Sequence, residues 1–170
     1  MDARTSDIAV AGAPVSFGVF ELTPEDSPVA LPDGAAVLAA LAETGYDGVD
    51  LGPRGFLDGT DEDGDLGARL RSAGLDLAGG WIELPLSDDA RYAAAVPELE
   101  AALDVFAAAG SGPMPPRPTL ADSGDAYRRA HPGAAAGHGL DAAGWERLGR
   151  NLADAARRVR DRGLEPTFHH

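Results

Sequence analysis

Three times this chain runs out of a helix-like stretch, through a glycine, and into a short apolar run. In Leu38 to Gly52 (LAALAETGYDGVDLG) the residues Leu38 and Leu41 fall on one helical face with Val37 just before the stretch. Gly45 then takes the left-handed position that ends helices, and Tyr46 to Leu51 has the length of a buried strand. Arg71-Ser72-Ala73-Gly74 leads likewise into Leu75 to Trp81, and Arg160-Asp161-Arg162-Gly163 leads into Leu164 to His170. Helix, glycine, strand, repeated, is the pattern of an α/β chain with parallel strands.

The other elements are read around those three. Ile8 to Ala13 is the first strand, stopped by Pro14, and a proline-punctuated connection runs from Val15 to Pro32. Asp33 caps a first helix over 34–44. Asp65 or Asp63 caps a second through Leu66 and Leu70, and Leu75 to Gly80 is the third strand. After Ser87-Asp88-Asp89, the residues Tyr92, Val96, Leu99, Leu103 and Phe106 step by four and three along a helical face. Pro97 inside that pattern either kinks the helix or starts its main part. Pro-rich Gly112 to Pro118 cannot pair well within a sheet, which leaves Thr119 to Ala121 as the fourth strand. Asp122 to Gly139 reads as a loop. Asp141 caps a last helix with Trp145, Leu148, Leu152, Ala156 and Val159 on one face, and Glu165 to His169 is the fifth strand.

Composition removes several functional classes. With 170 residues and 44% hydrophobic content, one domain spanning 1–170 with a real core is expected. The net charge of −14 repels phosphate backbones, so nucleic acid is not a partner. Cysteine is absent, and all 14 basic residues are arginine, so thiolate chemistry, a Schiff-base lysine and a P-loop lysine are excluded. No apolar run reaches the roughly 18 residues of a membrane span, and the first residues lack the order of a signal peptide. A cytoplasmic location fits. No G-x-G-x-x-G follows the first strand, which counts against a dinucleotide site, and no His-x-His on that strand supports an amidohydrolase-type metal barrel. The acidic run Asp58 to Asp65 (DGTDEDGD) fails as an EF-hand: with Gly64 at position six, the twelfth position is Leu70, which cannot ligate calcium. A solvated loop with a helix cap is the expectation there, and His131 and His138 read as loop residues.

Connections after helices are short, and those after strands are long and carry the polar and aromatic residues. In α/β proteins the site lies at the carboxyl ends of the strands, which points to Pro14 to Glu21, Gly52 to Phe56, Trp81 to Glu83, the Asp122 loop, and His169-His170.

Four segments resemble the sugar phosphate isomerase/epimerase family, the xylose-isomerase-like barrels that include inosose dehydratase. Ala11 to Phe20 (AGAPVSFGVF) is similar to its first strand and loop, and Gly45 to Gly52 to its second strand. Leu140 to Trp145 (LDAAGW) is similar to the entry of its fourth helix, and Glu165 to His170 (EPTFHH) to its His-rich fifth strand. The resemblance implies a (β/α)₈ barrel of about 250 residues, of which this chain supplies an N-terminal part with about five parallel strands and four helices. It implies a sugar or polyol isomerase, epimerase or dehydratase. Such an enzyme abstracts a proton next to a carbonyl, and a divalent metal (Mn, Co, Mg or Zn) stabilises the enediolate. The family's ligands, two glutamates, an aspartate and a histidine, lie beyond the fifth-strand histidines. No residue here matches them, and no metal is expected on this chain alone. The alternative is a catalytically inactive half-barrel or an assembly partner.

On that basis His169 and His170 are the candidate catalytic residues, as proton shuttles or substrate ligands. Strand alternation lets at most one of them face the barrel interior. Trp81, Glu83, Asp50 and Phe17 are the candidate substrate-binding residues: an indole can wall a sugar and a carboxylate can accept its hydroxyls. Trp81 as core, Glu83 as a solvated loop charge and Asp50 bonded to loop backbone remain open beside those roles. The unpaired outer sides of the first and fifth strands are expected to promote self-association.

Overall fold

The computed structural model describes residues 8–19, 30–57, 65–109, 115–131, 133 and 137–169. Its elements in chain order are β1 (Ala11–Gly12), α1 (Gly34–Glu43), β2 (Gly48–Asp50), α2 (Leu66–Ala73), β3 (Asp76–Leu84), α3 (Asp89–Ala108), β4 (Arg117–Asp122), α4 (Ala126–Ala130), α5 (Ala142–Asp161) and β5 (Thr167–His169), with a 3₁₀ turn at Pro14–Phe17. The five parallel strands form one sheet in the order β1-β2-β3-β4-β5. Sequential order follows when each right-handed crossover returns the chain beside the strand it has just left. Among the described residues, no helix is long and apolar enough to cross a membrane.

The chain divides into two compact units, Met1–Gly80 with Val105–Arg117, and Trp81–Asp104 with Pro118–His170. In the first unit Asp33 caps α1 by accepting from Ala36 N at 2.8 Å, and Asp65 caps α2 through Gly67 N at 3.0 Å. Gly45, Gly74 and Gly163 hold the left-handed conformation at φ 82°, 70° and 74°, so the recurring glycine does end each helix. The core is Val37, Leu38 and Leu41 of α1 against Val49, Leu51, Leu57, Leu70 and Leu77, with Phe106 from the end of α3. β1 is shorter than the expected 8–13 and β2 shorter than 46–51. Asp47 is the reason: its backbone N–H donates to Val10 O at 2.8 Å, and its carboxylate accepts from Val10 N at 3.0 Å. A side chain thereby takes the place of the next rung of the ladder.

In the second unit α3 continues through Pro97, which is exposed, so the helix does not start there. The lost N–H costs one helical bond, and burial of Tyr92, Leu99, Leu103 and Phe106 along the α3 face outweighs it. β4 is longer than 119–121 because Arg117 and Pro118 join its start, a place where a strand tolerates proline. The expected loop 122–139 contains the one-turn-long α4. Asp141 caps α5 from Gly144 N at 2.7 Å, but Trp145 is 61% exposed rather than buried. Of the expected face Val159 is buried and Leu148, Leu152 and Ala156 are half-buried, and Gly144 and Ala155 join Val159 in the buried stripe. Its polar flank explains the rotation: Tyr92 Oη donates to Asp154 at 2.8 Å, Arg158 bonds Asp154 at 2.7 Å and Glu100 at 2.6 Å, and Arg162 reaches Glu100 at 2.7 Å and also Asp104. Turning α5 to satisfy these groups carries Trp145 out of the core.

Candidate functional site

From Gly80 to Leu84 burial alternates, with Gly80, Ile82 and Leu84 buried and Trp81 and Glu83 exposed. Period-two geometry puts Trp81 and Glu83 together on the open face of β3. β5 presents His169 beside Ala121 of β4, its register partner, and two residues earlier Thr119 and Thr167 share a 2.8 Å hydroxyl hydrogen bond on the same face. That bond pins the register of a three-residue strand and so fixes where His169 stands.

Trp81 and His169 meet across β4, ring centroids 4.9 Å apart at 63° in an edge arrangement. Their strands are second neighbours, about 9–10 Å apart, so the strand between must carry a small side chain there. Ala121, the register partner of His169, is small and 2% exposed. Ala121→Val is therefore expected to part the rings at a cost of about 1–3 kcal/mol in stability. The check is the ring-current displacement of the His169 imidazole protons by nuclear magnetic resonance. It should be present in the native chain and lost in both Trp81→Leu and Ala121→Val. A displacement that survives Ala121→Val refutes the bridging role.

The other candidates fall in different places. Asp50 accepts from Gly52 N at 2.9 Å in the first unit, closing an Asx-type turn at the end of β2. Gly52, at φ 67°, lets that turn lie against Pro14: a Cβ there would come within 2.7 Å of the proline ring. Phe17 ends the adjoining 3₁₀ turn, half-buried. So the first unit gathers Asp50 and Phe17, and the second gathers Trp81, Glu83 and His169. Asp122, expected on the working face, is a loop organiser: its two oxygens accept from Leu86 N and Gly124 N, each at 3.0 Å. The Asp-x-Gly spacing at 50–52 and 122–124 was the available signal for both turns. His170, Glu21 and most of the acidic run, 58–64, lie outside the described residues.

One grouping has no sequence signal. Tyr127 stacks on His131 and His138 with centroids 4.3 and 3.7 Å apart. The loop fold brings these rings together. Among the described residues, no group of three or more His, Asp or Glu is placed to hold a metal ion. The ligand set that the resemblance implies is therefore not supplied by them. A cavity of about 250 Å³ in the first unit is lined by Ala9, Ala11, Gly48, Asp76, Ala78 and Arg117, at the amino ends of the strands. That end of an α/β sheet serves stability rather than chemistry. The α3–α5 seam displaces the ionisation of two groups. Burial, reinforced by the bond to Asp154, pushes the Tyr92 phenol up. Burial would also raise Asp154, but hydrogen bonds from Arg158, Tyr92 and Arg157 outweigh it and hold its carboxyl at about 2.

No protein-family model and no curated protein matches the sequence. Among solved structures, the chain is similar to one described as an L-ribulose 3-epimerase, with a TM-score of 0.58 and 15% sequence identity over 95% of this chain. The likeness is one of fold. The chain spans about half the length of that structure, 49%.

Proposed function

We propose that this chain forms the sugar-facing wall of a barrel enzyme of the isomerase, epimerase or dehydratase type, one that moves a proton on the carbon next to a carbonyl. The observation that carries this is the Trp81–His169 contact on the open face at the carboxyl ends of β3 and β5. Trp81 supplies an apolar plane for the C–H face of a ketose or polyol, and Glu83, on the same face, accepts its hydroxyls. His169 sits at the edge of that plane, where a neutral imidazole can take a proton and an imidazolium can return it. The fold likeness to an L-ribulose 3-epimerase supports a ketose-sized substrate. No step is assigned to a metal, because the described residues do not offer its ligand set. The same observation favours a second reading, that this chain is a catalytically silent half that binds sugar without turning it over.

The chain has two tryptophans, so Trp145→Phe leaves Trp81 as the sole tryptophan, which can be excited selectively over tyrosine. Titration with L-ribulose, other neutral ketoses and inososes should give saturable quenching with a Kd on the order of 1 mM, weakened about tenfold in Glu83→Gln. Release of tritium from substrate labelled next to the carbonyl separates the two readings: release supports the enzyme, and binding without release supports the silent half. Absence of any saturable change would overturn both.

A further inference from the structure

The cavity in the first unit is walled by one face of the sheet. Ala11, Gly48 and Asp76 are register partners across β1, β2 and β3, so they share a face, and alternation along β3 adds Ala78 to it. The partners one residue further on, Val49 and Leu77, turn to the other face and are buried in the core. The interior face of a barrel is ordinarily filled by bulky branched side chains. Here it offers alanine and glycine, and the missing volume is the cavity, about 250 Å³, which Ala9 also lines. A larger residue cannot stand at Gly48, where a Cβ would come within 2.8 Å of the Asp76 carbonyl oxygen. A cavity of about 150 Å³ already takes up a benzene molecule, so there is room for a small organic ligand.

Two charged side chains line this cavity, half-buried Asp76 and exposed Arg117 at the start of β4. Among the described residues neither side chain has a hydrogen-bond or ion-pair partner, and they are not paired with each other. Asp47, the third charged residue of the lining, is already engaged, accepting from Val10 N at 3.0 Å. Two unpaired charges of opposite sign beside an apolar floor complement a molecule that carries both signs and a short hydrocarbon group. We infer that the cavity is a binding site for an α-amino acid with a short aliphatic side chain, of which valine is the type. Its carboxylate accepts from the Arg117 guanidinium in the two-pronged manner of such pairs. Its ammonium group donates to the Asp76 carboxylate, and its side chain covers the methyl groups of Ala9, Ala11 and Ala78. A simple carboxylate would leave Asp76 facing a second negative charge, a simple amine would leave Arg117 facing a second positive one, and a neutral sugar would pair neither. At this end of an α/β sheet binding serves stability rather than chemistry. A ligand held only by the folded chain raises its melting temperature as ligand concentration rises.

Titration of the full 170-residue chain, carrying isotope-labelled alanine methyl groups, with L-valine tests the site by nuclear magnetic resonance. The methyl signals of Ala9, Ala11 and Ala78 should move saturably, with a Kd on the order of 1 mM. Isobutyrate, which lacks the ammonium group, and isobutylamine, which lacks the carboxylate, should each bind at least about tenfold more weakly. Arg117→Gln and Asp76→Asn should each weaken L-valine to a similar degree. Ala78→Leu, which fills the cavity, should abolish the response. Circular dichroism verifies folding, and if Ala78→Leu does not fold, the two charge variants decide alone. Three results overturn the inference: no saturable movement with L-valine, binding unchanged in either charge variant, or isobutyrate or isobutylamine binding as tightly as L-valine.

Discussion

Replacing Phe106 with alanine is expected to remove about 3–5 kcal/mol of stability, a large share of the roughly 5–15 kcal/mol typical of a folded domain. Phe106 is 1% exposed and is among the largest fully buried side chains. Its ring occupies the space that the absent side chain of Gly80 leaves: a Cβ at Gly80 would lie 2.9 Å from Phe106 Cζ and 2.7 Å from Leu51 Cβ. Glycine at 80 and phenylalanine at 106 are therefore one packing solution, and the two sites should not be additive. Gly80→Ala alone should cost about 1–3 kcal/mol by overpacking. Combined with Phe106→Ala, the added methyl group faces a vacated ring, so the double variant should be more stable than the sum of the singles predicts. The clash with Leu51 remains and limits the recovery. Urea denaturation of the four proteins in the cycle gives the coupling directly. Strict additivity would show that the two residues do not share that space.

Asp154→Ala is expected to cost about 2–4 kcal/mol, because it strips the acceptor from a buried phenol and one of the two carboxylates from Arg158. Tyr92 is 5% exposed. The pH dependence follows from the direction of each shift. The Asp154 carboxyl lies at about 2 when folded against 3.8 otherwise. A depressed carboxyl contributes stability that is present in full above 3.8 and is lost as the pH falls through the folded value. With the side chain 31% exposed, solvent screening reduces that contribution to about 1–2 kcal/mol. At the other end, the Tyr92 phenol is raised above its ordinary 10.0, so stability is lost as the pH climbs past 10.0 and the unfolded phenol ionises first. Thermal melts from pH 2 to pH 6 should fall more steeply for the native chain than for Asp154→Asn. Parallel curves would remove Asp154 from the acid transition.

The helix ends and strand order were legible in the sequence because local chemistry sets them. Asp33, Asp65 and Asp141 cap because a short carboxylate at that position reaches the first free N–H groups, and Gly45, Gly74 and Gly163 stop helices because only glycine enters φ > 0 without strain. Short glycine links after helices, repeated, leave sequential parallel pairing as the economical topology, and the sheet has that order. The open-face placement of Trp81 and Glu83 was also local, since alternation along one strand is enough to give it.

What tertiary structure alone decided were the contacts between residues far apart in the chain. The meeting of Trp81 with His169 joins side chains of second-neighbour strands, and nothing in either neighbourhood signals it. Apolar spacing marked Trp145 for the core. Ion pairs between α3 and α5 rotate that helix and leave the indole in water, because satisfying half-buried charges outweighs covering one more ring. Pro97 stays inside a helix for the related reason that burial along the rest of α3 exceeds the cost of one missing backbone bond. Period and capping follow from neighbours a few residues apart. Which face is buried, and which side chains converge, follow from long-range packing that the linear pattern does not contain.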